Sequence, residues 1–444
     1  MFGTSGIRGR VGEAVTADLA LSVGQALPGE GYETVVVGRD ARETGPFLLD
    51  ALAAGICECG GDVIDVGVVS TPTLARSVDW FDADAGAIVT ASHNPPADNG
   101  IKLWTPSGQA FDAARRAAIV DRIESDAASR ATWDAVGQRR ERESVTLLER
   151  HVEAITAAVS EPGLDLAELS VVVDSGTGTG AVTADALYEL GCHVRTLNAQ
   201  PDGRFPARPS EPNAETLSAL CAFVRSTDAS FGVAHDGDAD RMVAVDERGE
   251  FVPLDVLLAI FARDAADEGD RVAAPLNTSL CVDDVLAPAG ASVVRTRVGD
   301  VHVAERAVES DVVFGGEPSG AWIWPEETLC PDGPLAACRL ATIIARRRSL
   351  GEMVDAIETY PIRRSAIEVE EKDAVMDRIE TRLQAEEAQV DDRDGLRIER
   401  DDGWMLVRPS GTESVIRVTA EARTAGRADD RFEEMQAVVH DAIE

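Results

Sequence analysis

The sequence predicts an α/β protein: three related α/β domains with mainly parallel sheets, followed by a C-terminal α+β domain. Two patterns carry this. Short runs of β-branched residues recur between longer Ala-rich stretches of helical period, as in βαβ units, and three sets of such runs each close on a loop crowded with small and polar residues. The length of 444 residues is several times the common single-domain size and leaves room for about three domains, give or take one.

In the first set the strand-like runs are Thr34 to Val37, Val63 to Val66 and Ala87 to Thr90, closing on TASHNPP. The second is Ser170 to Val173, His193 to Leu197 and Phe231 to Ala234, closing on HDGDADR. The third is Arg271 to Ala274, Ser292 to Thr296 and Asp311 to Phe314, closing on GGEPSG. Pro46 to Cys59, Ala181 to Leu190 and Leu254 to Asp264 read as crossover helices. Open α/β sheets place ligands at the carboxyl ends of their strands, so each loop is a candidate site. From about residue 362 the pattern changes. Ile367 to Glu370, Leu396 to Arg400, Trp404 to Arg408 and Ile416 to Ala420 read as antiparallel strands, with helices over Lys372 to Glu387 and Arg427 to Ile443. The expected domains are 1–147, 148–247, 248–361 and 362–444, with a helix over Asp121 to Arg150 covering the first junction and ERGEFVP marking the second.

Hydrophobic residues make up 44%, with 38 Gly and 20 Pro dispersed, which excludes disordered, collagen-like and low-complexity chains. No apolar run approaches the roughly 18 residues of a membrane span, and MFGTSGIRGRVGE lacks a signal peptide's basic start and apolar stretch, so a cytoplasmic protein is expected. Against 42 basic residues stand 79 acidic ones, a formal charge of -37, which makes nucleic acid and anionic membranes poor partners. Only Lys102 and Lys372 are lysines. An acidic, lysine-poor surface suits concentrated salt, where screening relieves self-repulsion, and a lysine retained in such a chain is expected to serve through its ammonium group. Seven cysteines form no CxxC pair; Cys57 and Cys59 are expected to be small buried residues in a reduced compartment.

Asp236, Asp238 and Asp240 alternate within HDGDADR, and carboxylates so close repel unless a hard cation gathers them. An EF-hand would place Glu247 at its twelfth position, but its sixth is Arg241 rather than Gly, and Met242 to Val245 reads as a strand. Three carboxylates leave coordination positions open, as when Mg²⁺ is completed by a phosphate. TASHNPP sets Ser92 and His93 at a strand end, and Lys102 follows closely, so a hydroxyl and a cation are offered together. Glu317 and Ser319 of GGEPSG suit hydrogen bonding to sugar hydroxyls, while Arg408, Ser410, Gly411 and Thr412 of RPSGTE suit a phosphate dianion. DSGTGTG at 174–180 lacks the dinucleotide register and reads as a βα turn.

Across nearly the whole chain FGTSGIRG, TASHNPP, DGDADR, GEPSG and RPSGTE, in this order, resemble the signatures of the α-D-phosphohexomutase family: the phosphoglucomutases, phosphomannomutases and phosphoglucosamine mutases. The resemblance implies four domains around one central cleft, bearing in turn the phosphoserine, the metal, the sugar contacts and the phosphate clamp. It implies that Ser92 carries the transferred phosphoryl group and, with Asp236, Asp238 and Asp240, binds one Mg²⁺ per subunit. It implies further that Arg8, Lys102 and Arg241 surround the reacting phosphate, with His93 counted beside them among the catalytic residues, that Glu317 and Ser319 read the sugar, and that a bisphosphosugar primes the serine. Where family members often have GExSGH this chain has Ala321, and it has Asp300 in VGD where some have histidine. These features are more similar to the archaeal-type phosphoglucosamine mutases, which points to interconversion of glucosamine 6-phosphate and glucosamine 1-phosphate. His93, Lys102 and Asp300 are the candidates for the general base. The alternatives are glucose or mannose phosphate as substrate, or a catalytically silent phosphosugar sensor, which would need no phosphorylatable serine.

The charge carries its own expectation. The unfolding midpoint should rise with salt into the molar range, as the Debye length shrinks from roughly 30 Å at 0.01 M to about 3 Å at 1 M. A midpoint that stays flat above about 0.1 M would remove the halophilic reading.

Overall fold

The computed structural model describes residues 3, 6–347, 349–385, 390–410 and 414–443. The first sheet holds β1 (Ile7–Arg10), β2 (Thr34–Arg39), β3 (Asp62–Val68), β4 (Ala85–Val89), β5 (Asp98–Trp104) and β6 (Arg139–Glu141), in the order β1-β5-β4-β2-β3-β6. The second holds β7 (Ser170–Asp174), β8 (His193–Leu197), β9 (Phe231–His235) and β10 (Met242–Asp246), in the order β10-β9-β7-β8. The third holds β11 (Arg271–Pro275), β12 (Ser292–Thr296), β13 (Val312–Glu317) and β14 (Ala321–Ile323), in the order β12-β11-β13-β14. Each contains a unit of three parallel strands with the first of them in the middle and a further strand folded back antiparallel on the third; the first sheet adds β6, parallel to β3, and β1, antiparallel to β5. Central strands such as Ser170–Asp174 are buried along their whole length, as expected where helices cover both faces.

This repeated topology places the motifs. TASHNPP connects β4 to β5, DGDAD connects β9 to β10, and the Pro318–Gly320 turn connects β13 to β14. Each is the turn between the last parallel strand and its antiparallel return. The last sheet is wholly antiparallel: β15 (Ile362–Glu368), β16 (Val390–Asp391), β17 (Leu396–Arg400), β18 (Gly403–Pro409) and β19 (Val415–Ala422), in the order β15-β19-β18-β17-β16. RPSGTE joins β18 to β19, again at a return.

Some expectations are corrected. The stretch from Asp121 to Arg150 is not one helix: the helix Ala113–Glu124 ends before Asp126, which takes a φ of 48°, and a new helix, Ser144–Val159, begins after β6. Between them the chain has no apolar stripe to bury. It is fastened instead by backbone bonds from Ala131 to Glu58 and from Gly137 to Cys57, and β6 adds to the sheet edge although its side chains are exposed. Gly315, Gly316 and Glu317 extend β13 rather than sitting in a turn. Cys57 and Cys59 are half-buried at the end of the helix Gly45–Glu58, and all seven cysteines are free thiols. No described helix is long and apolar enough to cross a membrane.

The second and third sheets share one apolar core, in which Phe261, Phe314, Trp322 and Trp324 pack together and the helices Ser144–Val159, Ala181–Glu189 and Gly333–Arg347 bury their apolar faces. The first sheet is joined to this unit by a buried polar network. His151 Nε2 lies 3.0 Å from Asp332 Oδ2, and Arg76 Nε donates to the same oxygen at 2.9 Å. An ionised carboxylate only accepts, so Nε2 carries the proton and Nδ1 accepts from Thr73 Oγ1 at 2.8 Å.

Burial pushes the His151 ring below its ordinary pKa, against the pull of Asp332. The folded state thus binds that proton less readily than the unfolded chain does, and stability is lost as pH falls below about 6.5 toward the folded value. The unfolding midpoint should drop between pH 7 and pH 5, and His151→Gln should be less stable at pH 7 with a shallower acid slope. An unaltered slope in that variant would show that the network does not set the acid sensitivity.

Candidate active site

Ser92 sits just beyond the end of β4 with φ 52°, a left-handed conformation unusual for a side-chain-bearing residue. Its N–H is held by Thr90 Oγ1 at 2.9 Å, and Thr90 Oγ1 donates to Asp40 Oδ2 at 2.7 Å. The turn aims the buried Ser92 hydroxyl across the domain boundary, where Ser92 Oγ donates to Asp236 Oδ2 at 2.6 Å; His93 Nδ1 stands 3.4 Å from Ser92 Oγ. Gly237 permits this approach. A Cβ there would lie 2.7 Å from the Ser92 carbonyl oxygen and 2.8 Å from Ser210 Oγ.

Asp236, Asp238 and Asp240 are buried, and one oxygen from each can be chosen so that all three lie within 4.8 Å of one another. Ala239, at φ 56°, curls the loop so that the carboxylates converge. Asp238 Oδ2 accepts from Thr71 Oγ1 at 2.6 Å and from Lys102 Nζ at 2.8 Å, and Asp240 Oδ2 accepts from Lys102 Nζ at 2.5 Å. Asp238 Oδ1 and Asp240 Oδ1 are buried without a partner among the described residues. Two orphaned carboxylate oxygens beside a hydroxyl, in an oxygen-only set, fit a hard divalent cation.

The electrostatics agree. Burial and the charges of Asp240 and Asp238 raise the pKa of Asp236 well above the ordinary value. Burial and Asp238 raise that of Asp240. Burial also opposes ionisation of Asp238, yet Lys102 reverses this and holds it well below the usual carboxylate range. Lys102 itself would lose its proton through burial, but Asp238 and Asp240 keep it protonated. In this arrangement Lys102 acts as a donor and a fixed positive charge. His93 is pushed down to about 2 by burial and by Arg241, Arg8 and Lys102, so it is neutral and very weakly basic.

Arg241 lies between the acidic loop and the third domain. It pairs by a backbone bridge with Ala321, and its cation is stabilised, against burial, by Asp236, Asp240, Glu317 and Asp300. Arg8, on the edge strand β1 beside β5, is half-buried with no partner for its Nε among the described residues, and its charge reaches His93, Lys102 and Asp238. Glu317 accepts from Ser319 Oγ at 3.0 Å and from the Gly299 N–H at 3.0 Å, which joins the sugar-type loop to VGD. Burial and Asp300 raise the Glu317 pKa, with Arg241 opposing them.

Arg408 and Ser410 approach from the fourth domain. Arg408 pairs with Asp394 at 3.2 Å, and Asp394 accepts the Val298 N–H at 3.0 Å, so β18 is linked to VGD. Lys372 Nζ donates to the Ser410 carbonyl at 2.6 Å, placing the second of the two lysines at the fourth loop. Gly411 and Thr412 lie outside the described residues. Sequence reasoning missed Thr71, Arg42 and Ser210 around Ser92 and the acidic loop, and it gave Lys372 no place. Lysine scarcity was the available signal for Lys372; the others are common residues far away in sequence.

Four family models match in succession: the phosphoglucomutase/phosphomannomutase alpha/beta/alpha domains I, II and III over residues 1–130, 149–249 and 253–360, and the C-terminal domain over 366–438. The chain belongs to this family. As a phosphosugar mutase of that family it is 46% identical to a "probable phosphoglucosamine mutase" of Methanosarcina acetivorans, over 100% of this chain and 99% of the relative. It is also 46% identical to one so named in Methanopyrus kandleri, over 100% and 98%. Among solved structures it resembles a phosphoglucomutase/phosphomannomutase family protein of Burkholderia thailandensis, with TM-score 0.86 and 26% identity over 100% of this chain and 98% of the other. It shares its fold with Aspergillus fumigatus N-acetylphosphoglucosamine mutase, solved in complex with GlcNAc-6P and magnesium, at TM-score 0.61 and 18% identity over 100% and 96%.

If the carboxylates take a divalent cation, millimolar Mg²⁺ should raise the unfolding midpoint. The shift should vanish in a combined Asp238→Asn, Asp240→Asn variant, since a ligand stabilises only the state that binds it. An equal shift in both proteins would place the cation elsewhere.

Proposed function

We propose that this mutase interconverts glucosamine 6-phosphate and glucosamine 1-phosphate by way of a phosphorylated Ser92 and a bisphosphosugar. The observation that carries the reading is the Ser92 hydroxyl, held 2.6 Å from Asp236 in a cluster of three buried carboxylates and Lys102. Asp236, Asp238, Asp240 and the Ser92 phosphate would hold one Mg²⁺, which when bound neutralises charge on the transferring phosphoryl group.

In the first half-reaction the bond between phosphorus and Ser92 Oγ breaks and one forms to a sugar hydroxyl, whose proton leaves to a base. Lys102, Arg8 and Arg241 supply fixed positive charge around the oxygens in transit. Glu317 and Ser319 orient the sugar ring, and Arg408 and Ser410, with Gly411 and Thr412, hold the phosphate that does not react. The bisphosphosugar then turns round and returns its other phosphate to Ser92, so the clamp must accept either end. With Lys102 held protonated and His93 so weakly basic, Asp300, whose charge reaches Asp240 and Glu317, is the remaining candidate for the base.

The choice of amino sugar rests on the names of the archaeal relatives and on the carboxylates of Asp300 and Glu317 beside Arg241. An ammonium at the sugar's C2 gains from a nearby carboxylate by about 1 kcal/mol more than a hydroxyl does, so modest activity on glucose and mannose phosphates is expected as well. Ser92→Ala should fold and retain less than about a tenth of the activity, and chelation should abolish activity until Mg²⁺ is restored. The comparison that decides the substrate is kcat/KM for glucosamine, glucose and mannose phosphates under identical salt and Mg²⁺. A preference for a neutral hexose overturns the amino-sugar assignment and leaves the mutase chemistry standing.

A further inference from the structure

Behind the Ser92 turn lies a fully buried arginine that no substrate can reach. Arg42 spends all five guanidinium N–H groups on the protein. Nε donates to Asp40 Oδ2 at 3.0 Å, Nη1 to the carbonyls of Pro95 at 2.6 Å and Asp98 at 2.9 Å, and Nη2 to those of Ser92 at 2.8 Å and Asn94 at 2.7 Å. The Phe205 ring of the second domain covers the guanidinium, 5.0 Å from its centroid. With no donor left for a phosphate, its role is to wrap residues 92–98 around a fixed charge.

The same Ser92 carbonyl takes a second bond from the other side of the domain boundary. Ser210 Oγ donates to it at 2.8 Å and is itself buried. The Ser210 segment is held by Arg208, which donates to Asp174 at 2.9 Å and to the His235 carbonyl at 2.6 Å, immediately before the acidic loop. One carbonyl oxygen therefore links the Ser92 turn to the Ser210 segment, which Arg208 ties in turn to the strand end just before Asp236. A serine at φ 52° sits above its relaxed conformations. Releasing its carbonyl would let the backbone rotate and swing the hydroxyl away from Asp236.

We propose that Arg42 and Ser210 are positioning residues of phosphoryl transfer, fixing the Ser92 carbonyl so that the side-chain oxygen faces Asp236. The proposal rests on the reading of Ser92 as the phosphoryl carrier. Displacement of a reacting atom by about 1 Å costs on the order of a hundredfold in rate, so the effect should fall on kcat. Ser210→Ala should lower kcat by about tenfold with KM within about twofold and the unfolding midpoint unchanged, and Ser210→Thr, which keeps the hydroxyl, should restore most of the loss. Arg42→Lys, whose ammonium cannot span four carbonyls, should lower kcat by about a hundredfold or more.

Wild-type kcat in a folded Ser210→Ala protein, or a change confined to KM, overturns the proposal, and this holds whether or not Arg42→Lys folds. A second readout separates it from the mutase reading. Hydrogen exchange of the amides of residues 91–99 should quicken in Ser210→Ala even if wild-type protein shows no mutase activity, which would sink the reading of Ser92 alone. Unchanged exchange there would sink the positioning role.

Discussion

Bringing Asp236, Asp238 and Asp240 together out of water is costly, because each carboxylate loses hydration and repels the other two. The surrounding structure answers that repulsion group by group. Lys102 donates to two of the carboxylates, Thr71 and Ser92 donate hydroxyl hydrogens, and the Arg241 N–H lies 3.2 Å from the remaining Asp236 oxygen. Lys102, Thr71 and Ser92 all come from the first domain, so the acidic loop is stable only where that domain meets it. A charge cluster that needs its neighbour also fixes where Ser92 stands.

The backbone is committed to the same contact. The Thr71 N–H donates to the Asp238 carbonyl at 2.9 Å. On the opposite side Gly333 lies so close that a Cβ would come 2.5 Å from the Arg241 carbonyl oxygen and 2.8 Å from that of Ala239. The acidic loop is thereby packed between the first and third domains. The repeated sheet topology makes this possible, since each domain offers its turn from the same position, between the third strand and its antiparallel return. The joining is weighted differently: the second and third domains share one apolar core, whereas Arg76, His151 and Asp332 add charge and hydrogen bonds to a smaller apolar contact in which Leu147 and Cys330 pack against the first domain.

The global charge of -37 and the site's charge obey different rules. Surface carboxylates are screened by water and salt, whereas the buried cluster is screened by little except the residues placed there. Replacing lysine by arginine is tolerable on a surface. It is not at Lys102, where a compact ammonium donates to two carboxylates at 2.8 and 2.5 Å and a planar guanidinium would need more room. The second lysine likewise directs its ammonium at a loop carbonyl.

By itself the sequence determined the α/β class, the antiparallel tail and the residues able to carry the chemistry. Burial is written locally as strand and helix periodicity, and Ser92, the three aspartates, Glu317 and Arg408 each stand in motifs a few residues long. Gly411 and Thr412 were named from such a motif too, though they lie outside the described residues. The helix expected over Asp121 to Arg150 failed because a polar stretch has no apolar stripe to commit it, and contacts with the distant Cys57 and Glu58 shaped it instead. Only the tertiary structure decided which groups meet: Ser92 with Asp236 across 144 positions, Lys102 with Asp238 across 136, and Ser210 with Ser92 across 118. Those meetings bias protonation, because a pKa depends on the charges that packing brings alongside and not on the neighbours along the chain.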